Sequence, residues 1–282
     1  MCPLKPFFTV KLYYIAAAKK ILQENLSICL VMYIHGNAQT RQSHLTSTLR
    51  TSTLLRRSPF GQHIVYGFIL IALTSFTYPM QKKKIVFFGD SITEAGVNPT
   101  GYITQIGTIA SKENVSAKYE FVGAGIGGNK VYDLFLRLEN DVLNKNPDAV
   151  IIFIGVNDVW HKRTYGTGTD ADKFEKFYTA IIKKLQEKNI KVVLCTPAAI
   201  GEKTDFSNEL DGDLNKYSGI IRNLAKANNV PIVDLRNTFL EYNKKYNTEN
   251  KQAGILTSDG VHLNDKGNQV VAEEMWKIIK TL

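Results

Sequence analysis

Ser91, Asn157, Asp259 and His262 are the residues of this chain whose types and surroundings could carry out chemistry together. Ser91 lies in Phe88-Gly89-Asp90-Ser91-Ile92-Thr93, directly after the apolar run Lys84-Ile85-Val86-Phe87-Phe88. Such a run, short and rich in β-branched and aromatic residues, reads as a buried strand. A strand ending in Gly-Asp-Ser sets a hydroxyl on the turn at its carboxyl end, where open parallel sheets bind ligands. A serine hydroxyl is a poor nucleophile until a base takes its proton. A candidate base lies far along the chain, in Ser258-Asp259-Gly260-Val261-His262-Leu263-Asn264. The D-x-x-H spacing, with Gly260 inside it, suits one tight loop from which both side chains reach one spot. Asn157 stands between these segments, in Gly155-Val156-Asn157-Asp158 after the apolar run Ala149 to Ile154.

Together these segments resemble the SGNH hydrolases, also called GDSL-type esterases and lipases. That family is named for four residues carried in four blocks, and the blocks occur here in order between about residues 83 and 280. Ser91 sits in the first, Gly125-Ile126-Gly127-Gly128-Asn129 forms the second, Asn157 marks the third, and Asp259 with His262 the fourth. The resemblance implies a serine esterase acting through an acyl-enzyme. Ser91 attacks the ester carbonyl, His262 takes and returns the proton, and Asp259 holds the imidazole in the required tautomer. The implied oxyanion donors are the Ser91 N–H, the N–H of a second-block glycine and the Asn157 amide. Alignment of that block favours Gly128, then Gly127. No metal or organic cofactor is expected, since neither His161 nor His262 has a second His or Cys at ligand spacing.

Other readings of the same residues compete. Ser91 could cap a helix, Asn157-Asp158 could be a turn pair, and His262 an ordinary loop histidine. Asp90 reads as a turn former and, with Gly127, Trp160 and His161, as a candidate wall of the substrate pocket. Gly123-Ala124-Gly125-Ile126-Gly127-Gly128 fits the dinucleotide fingerprint G-x-G-x-x-G. It follows the second expected strand, though, and lacks a strand-terminal acid about 20 residues on. A dinucleotide site, or a non-catalytic binding module, would leave the serine constellation without a task. The substrate is less defined. Phe153 to Trp160 is similar to a branch of the family that removes acetyl groups from carbohydrates such as xylan. The polar loop Gly201 to Asp213 suits a hydroxylated ligand better than a lipid tail. A small-molecule or carbohydrate ester is therefore expected, with lysophospholipase, short-chain lipase and thioesterase activities as the alternatives on one catalytic set.

The elements that must position these residues alternate. Strand-like runs at 84–88, 119–122, 148–154, 190–195 and 230–234 are separated by helical patterns near 102–112, 130–144, 172–189 and 213–228. A last helix is expected at 266–280. Such alternation predicts parallel strands with right-handed helical crossovers, a three-layer α/β/α sandwich. Five strands suit the flavodoxin-like order 2-1-3-4-5, which the resemblance also implies.

Of 282 residues, 44% are hydrophobic, ample for one domain (82–282) and an extension (1–81). The net charge of +9 is uneven: residues 1–81 hold eight of the 35 Lys and Arg but one of the 26 acids. The basic balance thus belongs to the extension and does not argue for nucleic-acid binding. Its apolar patch Ile64 to Phe76 has the length of a signal-peptide core, and Met80 directly precedes Gln81-Lys82-Lys83-Lys84. Either the extension is an export signal or membrane anchor, or translation starts at Met80 and the domain is cytoplasmic. Of Cys2, Cys29 and Cys195, only Cys195 falls in the domain, where a buried structural thiol is expected.

Overall fold

Five apolar runs become five parallel strands, in the order β2-β1-β3-β4-β5. They are β1 (Lys83–Gly89), β2 (Tyr119–Gly125), β3 (Ala149–Phe153), β4 (Lys191–Cys195) and β5 (Ile232–Val233). The computed structural model describes residues 81–282. The expectations for the chain up to Met80 lie outside them. Among the described residues, no helix is long and apolar enough to cross a membrane.

The helices are α1 (Ser91–Ala95), α2 (Tyr102–Lys112), α3 (Val131–Asp141), α4 (Val156–Thr164), α5 (Ala171–Glu187), α6 (Asp211–Ala227), α7 (Leu235–Tyr246) and α8 (Asp265–Ile279). Successive strand side chains point to opposite faces, and both faces of this sheet are covered. Ile85, Phe87 and Ile151 join one core with Ile106 of α2, Phe239 of α7 and Met275 of α8. Val86, Phe88 and Ile152 join the other with Leu134 of α3, Tyr178 of α5 and Ile221 of α6. This is the expected three-layer sandwich. It explains why the strands read as unbroken apolar runs rather than as alternating ones. Each fully buried Phe, Ile or Leu contributes roughly 1.5–3 kcal/mol.

In-register pairing brings Gly89 of β1 opposite Gly125 of β2 and Phe153 of β3. The carboxyl ends of all three strands therefore finish level, and the segments that follow them converge. Cys195, at the end of β4, is buried with a free thiol whose pKa burial pushes up.

Candidate active site

The first turn depends on Gly89. A Cβ there would lie 2.2 Å from Thr93 Oγ1 and 2.3 Å from the Phe153 carbonyl oxygen. With glycine, the chain turns directly from β1 into α1. Asp90 is the N-cap, its carboxylate accepting the Ile92 N–H at 3.0 Å. Ser91 is thus the first helical residue rather than the cap, and its N–H has no carbonyl four residues upstream within the helix. Asp90 does the turn-forming work expected of it but is buried. At 2% exposure it offers almost no surface to a substrate, unlike the other residues expected to wall the pocket.

The second turn carries Asn157. Gly155 takes φ +127°, a conformation that side-chain-bearing residues rarely adopt, and α4 begins at the next residue. Asn157 falls in the first helical turn, buried, so the reading of Asn157-Asp158 as a turn pair gives way to a helix. One N–H of its amide donates to the Asn129 carbonyl at 3.1 Å. Among the described residues, the amide's second N–H has no hydrogen-bond partner. Asn129 ends the second-block loop, in which Gly128 has φ +74°.

The third segment turns back through an isolated antiparallel bridge, Thr257 to Leu263, with Gly260 at φ +97°. His262 Nδ1 lies 2.7 Å from Asp259 Oδ2, and Nε2 lies 3.1 Å from Ser91 Oγ. With Nδ1 protonated and donating to Asp259, Nε2 offers its lone pair to the serine hydroxyl. The other Asp259 oxygen accepts the backbone N–H groups of Val261 and His262 at 2.9 and 2.8 Å. Burial alone would raise the Asp259 carboxyl, but the His262 ring and these N–H groups outweigh it and hold its pKa below the ordinary value. The side chains of His262 and Asp259 remain 40% and 50% exposed, so the site opens directly to solvent.

Around this opening, Gly127 lies against Ser91: a Cβ on it would sit 4.0 Å from Ser91 Cβ. Gly128 lies against His161, 3.7 Å from Cε1 by the same construction. The Trp160 ring meets His262 edge-on at 6.3 Å and His161 at 5.6 Å, and Tyr165, not anticipated from the sequence, packs on His161 at 4.9 Å. Trp160 and His161 of α4, with Tyr165 just after it, therefore form an aromatic cluster beside His262. Burial and the Lys130 ammonium lower the His161 pKa, which favours a neutral ring. The dinucleotide reading loses its geometry here. Gly123 and Gly125 are inside β2, and a Cβ on Gly125 would come within 2.0 Å of the Glu94 nitrogen. That glycine serves the close packing of β2 on α1.

A sequence profile of the GDSL-like lipase/acylhydrolase family matches residues 87–270. The chain belongs to that family. An acetyl xylan esterase of solved structure, AlAXEase, is 64% identical, aligns over 70% of this chain and 99% of its own, and superposes with a TM-score of 0.69. The acetylxylan esterase of Geobacillus stearothermophilus is 27% identical over 206 residues, 67% of this chain and 90% of its own. An isoamyl acetate-hydrolyzing esterase of Schizosaccharomyces pombe is 24% identical over 200 residues, 69% of this chain and 75% of its own. This chain is accordingly an ester-bond hydrolase of the GDSL type.

Two residues that hold this GDSL-type site together were not legible in the sequence. The Arg137 guanidinium on α3 donates to the Gly89 and Ala124 carbonyls at 2.7 and 3.0 Å, and to Asn129 Oδ1 at 2.7 Å. It stacks 4.5 Å over Phe88 and pairs with Asp141. One side chain thus ties the end of β1 to the end of β2 and to the second-block loop. Glu202, buried after β4, accepts N–H groups from Ile255, Leu256 and Thr257 at 2.9, 2.6 and 2.9 Å. It anchors the segment leading into Asp259. The Gly201 N–H adds a bond to the Gly260 carbonyl at 2.8 Å.

Behind the GDSL serine lie two buried carboxyls. Burial lifts Asp90 to a pKa of about 7, against the Ile92 N–H and with help from Asp158. Burial lifts Asp158 to about 7 as well, against donors that include the Val131 N–H. A folded-state pKa above the unfolded value of about 3.9 means that the native state holds the extra proton between the two. These groups therefore favour folding at low pH, and their contribution is lost as pH rises from about 4 to about 7. Asn accepts at an N-cap as well as Asp does. Asp90→Asn is expected to flatten the decline of Tm between pH 5 and pH 8, so its Tm gains on the wild type as pH rises. A parallel pair of Tm–pH curves would refute this.

Proposed function

We propose that this esterase removes acetyl groups from a xylan-type polysaccharide, with Ser91 as nucleophile, His262 as general base and acid, and Asp259 as its partner. The observation that carries the catalytic assignment is the unbroken chain Asp259 Oδ2, His262 Nδ1, His262 Nε2, Ser91 Oγ, at 2.7 and 3.1 Å. Ser91 Oγ attacks the acetyl carbonyl while its proton passes to Nε2. The oxyanion is received by the Ser91 and Gly128 N–H groups and the free N–H of Asn157. Each such donor is worth on the order of 100- to 1,000-fold in rate. Collapse breaks the ester C–O bond, and His262 returns the proton to the departing sugar hydroxyl. Water then attacks the acetyl-serine with His262 again as base. Acetate leaves, and Ser91 regains its hydrogen.

Support for the substrate comes from the likeness to AlAXEase over nearly all of that protein's length. It also comes from the half-exposed triad beside the cluster of Trp160, His161 and Tyr165. An open site of this kind accepts an ester displayed on a polymer but gives a long acyl chain nowhere to bury. The test compares p-nitrophenyl acetate, butyrate and octanoate, and follows acetate release from acetylated xylan. A fall in kcat/KM of at least ~10-fold from acetate to octanoate, with acetate released from the polymer, is expected. A preference for octanoate with no polymer deacetylation would move the substrate to lipids.

A further inference from the structure

Lys130 precedes α3 as its N-cap residue, directly after the second-block loop. Its backbone N–H donates to Asp133 Oδ2 at 2.8 Å, and the Val131 N–H donates to Asp158 Oδ1 at 3.2 Å. The start of α3 is thereby fixed, and the Lys130 side chain folds back from it over the loop. Its ammonium donates to the Gly128 carbonyl at 2.9 Å and lies 5.7 Å from the centre of the Tyr132 ring. Lys130 is only 8% exposed, and among the described residues its ammonium pairs with no carboxylate. A buried charge is costly unless it has a partner. Here the hydrogen-bond partner is the Gly128 carbonyl.

The orientation of Gly128 matters because its N–H is assigned to the oxyanion. A glycine at φ +74° has no side chain to hold it, and its backbone rotates more freely than that of other residues. Contacts on both sides restrain the loop instead. Upstream, the Ile126 N–H donates to the Gly89 carbonyl at 3.3 Å, and the Asn129 N–H closes a turn onto the Ile126 carbonyl at 3.3 Å. Downstream, the Asn129 carbonyl accepts from the Asn157 amide at 3.1 Å. Between these, among the described residues, the Gly128 carbonyl is held by the Lys130 ammonium alone. Holding that carbonyl fixes the rotation about Gly128, and with it the direction of the N–H on the same residue. The ammonium also sets a full positive charge on this loop. Its field reaches the mouth of the site, where burial and this charge together lower the pKa of His161, whose ring lies against Gly128.

We infer that Lys130 is a positioning residue of the oxyanion site, holding Gly128 for the tetrahedral intermediate and adding positive charge beside the oxyanion donors. The inference rests on the proposed Ser91 mechanism and deepens it. Lys130→Met keeps the stem and removes both the charge and the hydrogen bond. It is expected to lower kcat on p-nitrophenyl acetate about 10-fold with KM within about 2-fold of wild type. Tm should be equal or higher, since an apolar side chain of similar volume replaces a buried charge. Lys130→Gln keeps an N–H donor without the charge; it should fall between the two, and it carries the test if Lys130→Met does not fold. Phenylboronic acid, which adds to an activated serine as a tetrahedral anion, reads the oxyanion site directly. Its Ki should rise in Lys130→Met by the factor by which kcat falls. A folded variant with kcat and Ki both within about 2-fold of wild type overturns the inference. A lower kcat without a matching loss of phenylboronic acid affinity is a structural effect, and it overturns the inference too. So does a raised KM at unchanged kcat, which would make Lys130 a substrate contact. Ser91→Ala assayed alongside separates the parent reading. Turnover retained there overturns the mechanism itself, whereas its loss beside an unimpaired Lys130→Met overturns only the positioning role.

Discussion

Ser91→Ala is expected to lower kcat on p-nitrophenyl acetate by about 10⁴- to 10⁶-fold, with Tm within a few degrees of the wild type. Removing a nucleophile from a cooperating triad costs in this range. The structural cost is small because Ser91 is the first residue of α1 and half-buried, and among the described residues its hydroxyl hydrogen-bonds only to His262 Nε2. His262→Ala should lose nearly as much, since the three groups act as a unit and single losses are not additive. Stopped-flow or steady-state assays of both variants, with circular dichroism to confirm folding, check the pair. A folded Ser91→Ala enzyme retaining more than about a tenth of wild-type turnover would remove Ser91 from the nucleophile's role.

Glu202→Ala is expected to damage both stability and activity, although Glu202 lies outside the triad. Its carboxylate accepts three backbone N–H groups, from Ile255, Leu256 and Thr257. Each buried donor left unpaired costs about 1–3 kcal/mol, so the sum is a large share of a domain's usual 5–15 kcal/mol. At about 2–4 °C per kcal/mol for a domain of this size, Tm should fall by ~10 °C or more. The segment released is the one that sets Asp259 and His262 against Ser91, so kcat should fall as well, even where the variant remains folded. Glu202→Gln keeps one carbonyl oxygen for Leu256 and Thr257 but turns an amide N–H₂ toward Ile255, and should lie between. Thermal melts and kcat at 25 °C measure both effects. A Glu202→Ala protein matching the wild type in both would show that the loop is held by its own turns.

How much of this was legible in the chain follows from how local each signal is. Ser91 and the pair Asp259 and His262 sit in short segments with fixed spacing, beside a strand or inside a single loop. The five strands were legible because a sheet covered on both faces needs continuous apolar runs. Three helices escaped. α1 has five residues, too few for a period, and the buried residues of α4 run consecutively from Val156 to Val159. The inner face of α7 mixes Leu235 and Phe239 with the buried polar residues Arg236 and Asn243. Arg137 and Glu202 were hidden for another reason. Arg137 reaches the Gly89 carbonyl 48 residues away, and Glu202 reaches the Leu256 N–H 54 residues away. A side chain that satisfies distant backbone leaves no periodicity or motif behind. The polar loop from Gly201 illustrates the limit, because its polarity is divided between buried anchors, Glu202 and Asn208, and the exposed rim around Phe206.

The most direct measurement is the site of covalent trapping. The full chain would be inactivated with diethyl p-nitrophenyl phosphate, which forms a stable phosphoryl ester with an activated serine, and then weighed intact and mapped by peptide mass spectrometry. One diethylphosphoryl group on Ser91, appearing in step with loss of esterase activity and absent from His262→Ala, is the predicted result. An adduct on another residue, or full turnover from protein completely labelled at Ser91, would contradict it.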